Sequence, residues 1–208
     1  MVSMLLESWF GMSMADAMCG GLEKLSADNT ARVEAAMARL EQGEPVQYVL
    51  GEACFCGHRF SVCPGVLIPR PETEQLCQIV SERIARCSSP SVLDICTGSG
   101  CIAVSLALGT PRSTVEAWDI SPDALRVAAD NAARLGAAVR VLCQDALCPP
   151  HHHCRWDAVV SNPPYICQSE RKTMHTNVLN YEPELALFVS DHDPLVFYRS
   201  IGAYAIDA

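Results

Sequence analysis

The sequence predicts an α/β fold: a doubly wound parallel sheet preceded by a small helical domain. Three observations carry that expectation. From residue 91 short apolar runs alternate with segments of helical pattern, the signature of an open parallel sheet covered by helices on both faces. The first run leads into a glycine-bearing turn, Asp94-Ile95-Cys96-Thr97-Gly98-Ser99-Gly100, and then a helix. Before about residue 43 the pattern is helical instead.

In order along the chain, the stretch with Met4, Leu5, Trp9, Met12 and Met14 reads as a first helix. In residues 28–42 Val33, Ala36, Met37 and Leu40 recur at helical spacing, with Ser26 or Asp28 as the cap and Gly43 as the stop. Residues 45–68 lose that period, and FCGHRFSVCPGVLIP looks like short strands joined by turns at Gly57 and Pro64-Gly65. Pro71 then opens a helix to about Arg86, with Glu72 and Glu74 in the first turn, where the helix dipole favours acids. SVLDI, STVEAWD, AVRVLCQ and WDAVVS read as strands; CIAVSLAL and PDALRVAADNAARLG read as helices, the second ending at Gly136. The expected division is a helical domain over 1–43, a connecting hairpin over 44–70 and the sheet domain over 71–208.

Half of the 208 residues are hydrophobic, yet no apolar run reaches membrane-spanning length. The opening residues lack a basic start and a small-residue cleavage site, so no signal peptide is read and the cytoplasm is expected. A net charge of −9 argues against a nucleic-acid partner, since phosphate binding needs a basic face. The twelve cysteines are scattered without Cys-x-x-Cys pairs, which suits reduced thiols better than a disulfide framework or a zinc site. His151-His152-His153-Cys154 is the one run that suggests a metal, but consecutive side chains seldom point the same way, and no metal is assigned.

The strand WDAVVS ends at Asn162-Pro163-Pro164-Tyr165, where two prolines forbid further sheet pairing. It leaves an amide side chain, a carbonyl with no N–H beside it and an aromatic ring. The Asn162 side-chain oxygen and the Pro163 carbonyl could each accept one N–H of a planar –NH2 group and fix its nitrogen. The same dipeptides also make ordinary turns.

The turn Cys96-Thr97-Gly98-Ser99-Gly100 lets a ligand approach the backbone closely, although a lone Gly-x-Gly is a weak motif and Ala103 takes the third glycine's place. Asp119 closes the second strand 21 residues after Gly98, where an acid can take a ribose diol or cap the following helix. Asp145 follows the third strand. Asp94, ahead of the glycines, suits the cation S-adenosylmethionine better than a pyrophosphate.

Together EPVQYVLG, VLIPRPETE, VLDICTGSG, SNPPYI and YEPELAL resemble the release factor glutamine methyltransferases, from about Arg32 to the C-terminus. NPPY alone is shared with adenine-N6 DNA methyltransferases. The resemblance implies a Rossmann-like, S-adenosylmethionine-dependent methyltransferase acting on the side-chain amide of the glutamine in the Gly-Gly-Gln loop of peptide chain release factors. It implies that Asn162 and Pro163 hold that amide while Pro164 and Tyr165 shape its pocket. Cys96 to Gly100 would line the methionine end of the cofactor, Asp119 would take the ribose, and Ala146 would stand near the adenine. The helical N-terminal part would dock the release factor.

Two departures stand out. Cys96 occupies a position that is usually glycine in the family, and Ala146 one that some relatives fill with an aromatic ring. Members also continue through further strands, so the sheet domain is expected to be truncated after its fourth strand, leaving an apolar edge. An inactive fragment, or an amine methylase acting on nucleic acid, are the competing readings.

Overall fold

The computed structural model describes residues 2–150 and 155–207; the His151–Cys154 run lies outside them. Helix α1 (Val2–Phe10) ends at Gly11, whose φ of +61° breaks it from the single turn α2 (Met14–Asp16). In α3 (Ala27–Glu41) the Ser26 hydroxyl is the cap, accepting the Asn29 N–H. A correction follows: the start of the expected hairpin region is a short helix, α4 (Val46–Leu50), bounded by Pro45 and by Gly51 in the left-handed conformation. Leu5, Ala36, Leu40, Val46 and Val49 form one small core joining α1, α3 and α4. The Arg32 guanidinium lies 3.8 Å over the Trp9 ring.

The hairpin itself is β1 (Glu52–Phe55) and β2 (His58–Ser61), antiparallel with Phe55 opposite His58. It is followed by α5 (Pro71–Ile84), β3 (Ser91–Ile95), α6 (Cys101–Gly109), β4 (Thr114–Asp119), α7 (Pro122–Leu135), β5 (Val139–Cys143) and β6 (Ala158–Ser161). Pro71 and Pro122 each open their helix, and α7 closes on Gly136 at φ +72°. Beyond them lie β7 (Ile166–Cys167), α8 (Thr176–Tyr181), α9 (Glu184–Leu187), β8 (Phe188–Val189) and α10 (Val196–Asp207).

Alternation on the central strands decides how the layers stack. Val92, Val115 and Ala117 face a core that includes Cys77, Val80, Ile84, Ile102 and Ala132 of α5, α6 and α7. Their neighbours Leu93, Ile95 and Trp118 face the opposite core with Tyr204, Phe197 and Ile201 of α10. Both faces of the sheet are therefore covered. The strands are parallel in the order β5-β4-β3-β6. The chain crosses from the β5 edge to the far side of β3, so the order reverses at β3, and the carboxyl ends of the strands open a crevice there.

Two side chains pin the hairpin and the N-terminal helices to this domain. Asn131 of α7 accepts the Ser61 N–H (2.7 Å) and donates to the carbonyls of Ser61 (3.0 Å) and Ser99 (2.9 Å). Tyr181 donates its hydroxyl to the Gln42 carbonyl at 3.0 Å.

Candidate active site

The carboxyl ends of the four parallel strands converge on a cavity of about 210 Å³. The turn after β3 supplies one end of it. Thr97 donates its N–H to the Trp118 carbonyl (2.9 Å), and Gly98 donates its N–H to Asp119 (2.8 Å). The other Asp119 oxygen accepts the Ser121 N–H at 2.9 Å, so this carboxylate ties the β3 turn to the start of α7. Gly98 has φ +58° and open space where a Cβ would project. Gly100, at φ +79°, is packed differently: a Cβ there would lie 3.0 Å from the Ala128 Cβ, so its glycine permits close helix packing as well as the turn.

Asp94 stands behind this turn, not on the cavity wall. It is fully buried, accepting the Thr97 hydroxyl (2.6 Å) and the Ala103 N–H (3.1 Å) with one oxygen, while the other has no partner among the described residues. Burial pushes its carboxyl up to about 7, against the pull of those two donors. Cys96 does line the cavity, at φ +59° in the left-handed region that favours glycine. Burial pushes its thiol up to about 12, helped by Asp119 and Asp94, so it presents a neutral sulfhydryl to the cavity.

After β5, Gln144, Asp145 and Ala146 complete this end of the wall. Asp145 accepts the Leu147 N–H at 2.8 Å, and the Ala146 carbonyl accepts the Ser200 hydroxyl of α10. At the end of β6 the Ser161 hydroxyl bonds the Ile95 carbonyl at 2.6 Å, locking the neighbouring strand ends together. Asn162 follows, donating from its side-chain nitrogen to the Thr73 hydroxyl at 3.4 Å. That leaves its side-chain oxygen uncommitted among the described residues.

Of the residues singled out from sequence, Cys96, Thr97, Gly98, Ser99, Asp119, Asp145, Ala146, Asn162 and Pro164 meet at the cavity. Asp94, Gly100, Pro163 and Tyr165 stand off its wall. Pro163 is buried, whereas Tyr165 is 55% exposed, because the extended chain after the two prolines runs outward to pair Ile166 with Phe188 in β7 and β8.

Sequence reasoning left two wall segments without a role. Leu67, Pro69, Arg70 and Thr73 form one side; Pro183, Leu185 and Ala186 form the other. Glu182 joins them: buried, it accepts the Ile68 N–H at 3.3 Å and the Arg70 guanidinium at 2.6 Å. The motifs VLIPRPETE and YEPELAL were visible, but no periodicity pairs residues that far apart.

Residues 71–184 match the family described as Methyltransferase small domain, and residues 1–51 match the PrmC N-terminal domain. The chain is 45% identical over 193 residues to a Release factor glutamine methyltransferase of Bacteroides thetaiotaomicron, spanning 92% of this chain and 69% of that protein. This chain belongs to the release factor glutamine methyltransferase family. The relative of the same name from Flavobacterium psychrophilum is 40% identical, over 97% of this chain and 72% of its own length. That of Bordetella pertussis is 41% identical, over 97% and 74%. Among solved structures, the hMettl16 catalytic domain, crystallised with a 3'UTR hairpin, superposes with a TM-score of 0.55. That match has 17% identity and covers 71% of this chain and 56% of the other, a likeness of fold alone. Among the described residues no helix is long and apolar enough to cross a membrane.

Proposed function

We propose that this chain transfers a methyl group from S-adenosylmethionine to the side-chain amide nitrogen of the glutamine in the Gly-Gly-Gln motif of peptide chain release factors. The observation that carries the reading is that the β3 turn with its two flanking carboxylates and the Asn162 carboxamide open on one cavity.

The residues present fit the cofactor. Open space above Gly98 admits a ligand against backbone. Each oxygen of Asp119 holds one main-chain N–H and keeps a lone pair for a ribose hydroxyl. Asp119 and Asp145 make this end of the cavity negative, which suits a cation. In this reading Thr97, Gly98 and Ser99 line the methionine portion, with Cys96 beside them, and Ala146 borders the adenine. Asp94 acts from behind, holding Thr97 and the first turn of α6. When bound, S-adenosylmethionine supplies the methyl group as a good electrophile.

The chain's own task is positioning. The uncommitted Asn162 oxygen accepts one N–H of the glutamine amide, the main-chain carbonyl of Pro163, between the wall residues Asn162 and Pro164, accepts the other, and the amide nitrogen is turned towards the cofactor. Pro164 closes the wall beside it, and Tyr165 borders the approach of the release factor from outside. Residues 1–43 dock that protein, 44–70 connect, and 71–208 carry the chemistry. In this reading the enzyme acts in the cytoplasm, where translation terminates.

The test is methyl transfer from labelled S-adenosylmethionine to a purified release factor. The expected result is incorporation that disappears when the loop glutamine is changed to alanine. Asn162→Ala should lower kcat/KM about a hundredfold while leaving S-adenosylhomocysteine affinity within about twofold. Incorporation into DNA or RNA instead would replace this reading.

A further inference from the structure

Among the described residues, Glu182 is the buried acid that joins two separate stretches of the cavity wall. Its side chain is 2% exposed, a costly setting for a carboxylate unless it is paired and hydrogen-bonded. It is both. One oxygen takes the Arg70 guanidinium and the other the Ile68 N–H, so a residue directly preceding the Pro183–Ala186 wall grips the two residues flanking Pro69.

The connection continues into the site. Arg70 is the residue from which α5 starts, with Pro71 in the first helical position. Its carbonyl accepts the Thr73 N–H at 3.0 Å, fixing the first turn. The Thr73 hydroxyl in turn accepts the Asn162 side-chain N–H. A carboxamide has two ends that differ only in donor and acceptor character. With its N–H on the Thr73 hydroxyl, the carbonyl end is the one left for the cavity.

We propose that Glu182, Arg70 and Thr73 form a brace of positioning residues that holds the Asn162 carboxamide with its oxygen available to the substrate and sets the spacing of the two proline-bearing wall segments. None of the three transfers a proton or a group. Thr73 acts on orientation of the acceptor nitrogen, while the Glu182–Arg70 pair acts on entry of the peptide. The inference rests on the methyl-transfer reading above.

Two variants separate the parts. Thr73→Val keeps the shape and removes the acceptor; Thr73→Ser restores it. Glu182→Gln keeps the bulk and removes the charge. In 15N-labelled protein the side-chain amide signals of Asn162, assigned by their loss in Asn162→Asp, should move in Thr73→Val and return in Thr73→Ser. With a release factor as acceptor, Thr73→Val should lower kcat about tenfold with little change in KM, and Glu182→Gln should raise KM about tenfold. S-adenosylhomocysteine affinity should stay within about twofold throughout.

Asn162 signals that do not move in Thr73→Val overturn the brace, whatever the substrate proves to be. So does an equal loss of stability and cofactor affinity in every variant, Thr73→Ser included, since that would make these residues structural supports only. If the Asn162 signals respond as expected but the unaltered protein methylates no release factor, the brace stands and the proposed function falls.

Discussion

At the end of the cavity nearest β3 the linking bonds run from main-chain amides of one turn to the end of the neighbouring strand β4, whereas at the Asn162 end they run mainly between side chains from three segments far apart in the sequence. The first end is held by Gly98 and Thr97 N–H groups bonded to Asp119 and to Trp118. The second depends on Thr73, Arg70 and Glu182, the last two 112 residues apart. A turn made of backbone tolerates few residue types but needs few partners. A brace made of side chains tolerates a changed backbone poorly, and one lost partner leaves the next unsupported.

Substitutions at the β3 end sharpen this contrast. The largest expected effect is at Asp119, where alanine removes acceptors for two N–H groups and for the ligand. S-adenosylhomocysteine affinity measured by calorimetry should fall about tenfold to a hundredfold. Asn162 amide signals should stay in place, because among the described residues Asp119 bonds the Gly98 and Ser121 amides and neither Asn162 nor Thr73. Gly100→Ala forces a Cβ against Ala128 and strains a φ of +79°, so it should cost about 2–4 kcal/mol in chemical denaturation.

Asp94 gives a pH-dependent test. Its folded value of about 7 lies above the ordinary 3.8, so the folded protein keeps a proton that the unfolded chain has lost. Stability from this group should therefore fall as pH rises from about 4 to about 7 and level off above. Asp94→Asn, which mimics the protonated form, should flatten that slope when urea midpoints are compared across the same range. The smallest effect belongs to Cys96→Gly. Relief of left-handed strain (about 1–2 kcal/mol), less the greater unfolded freedom of glycine (about 0.5–1), should change stability by about 0–1.5 kcal/mol in the favourable direction in a thermal melt.

What could be read from sequence follows the same division. SVLDI, the glycine turn and both proline-opened helices were legible because each is local: period, cap and turn residue lie within a few positions. The strand-and-helix alternation was enough for the sheet, and Asp119 was found because its distance from Gly98 is characteristic of such folds. Helix α4 was missed because five residues are too few for a 3.6-residue period to register, although Pro45 and Gly51 bracket it. Tyr165 belongs to the motif that pointed to the site, yet pairing of Ile166 with Phe188 draws the chain away from the cavity. Glu182 sits in the YEPELAL motif, where no local pattern gives it a partner. Only the three-dimensional approach of residues 68 and 70 decides its role.

The sequence separation of the brace has a consequence for synthesis. By the time Ala146 has been added, every polar group at the β3 end of the cavity has been made, and Asn162 follows soon after. Glu182, which holds Arg70 in place, comes later, and at about 5–20 residues per second that delay is measured in seconds. Under the proposed function, the nascent chain thus contains the residues for its small-molecule donor before Glu182, which braces the acceptor end, has been added. Translation separates in time two capacities that the finished fold presents side by side.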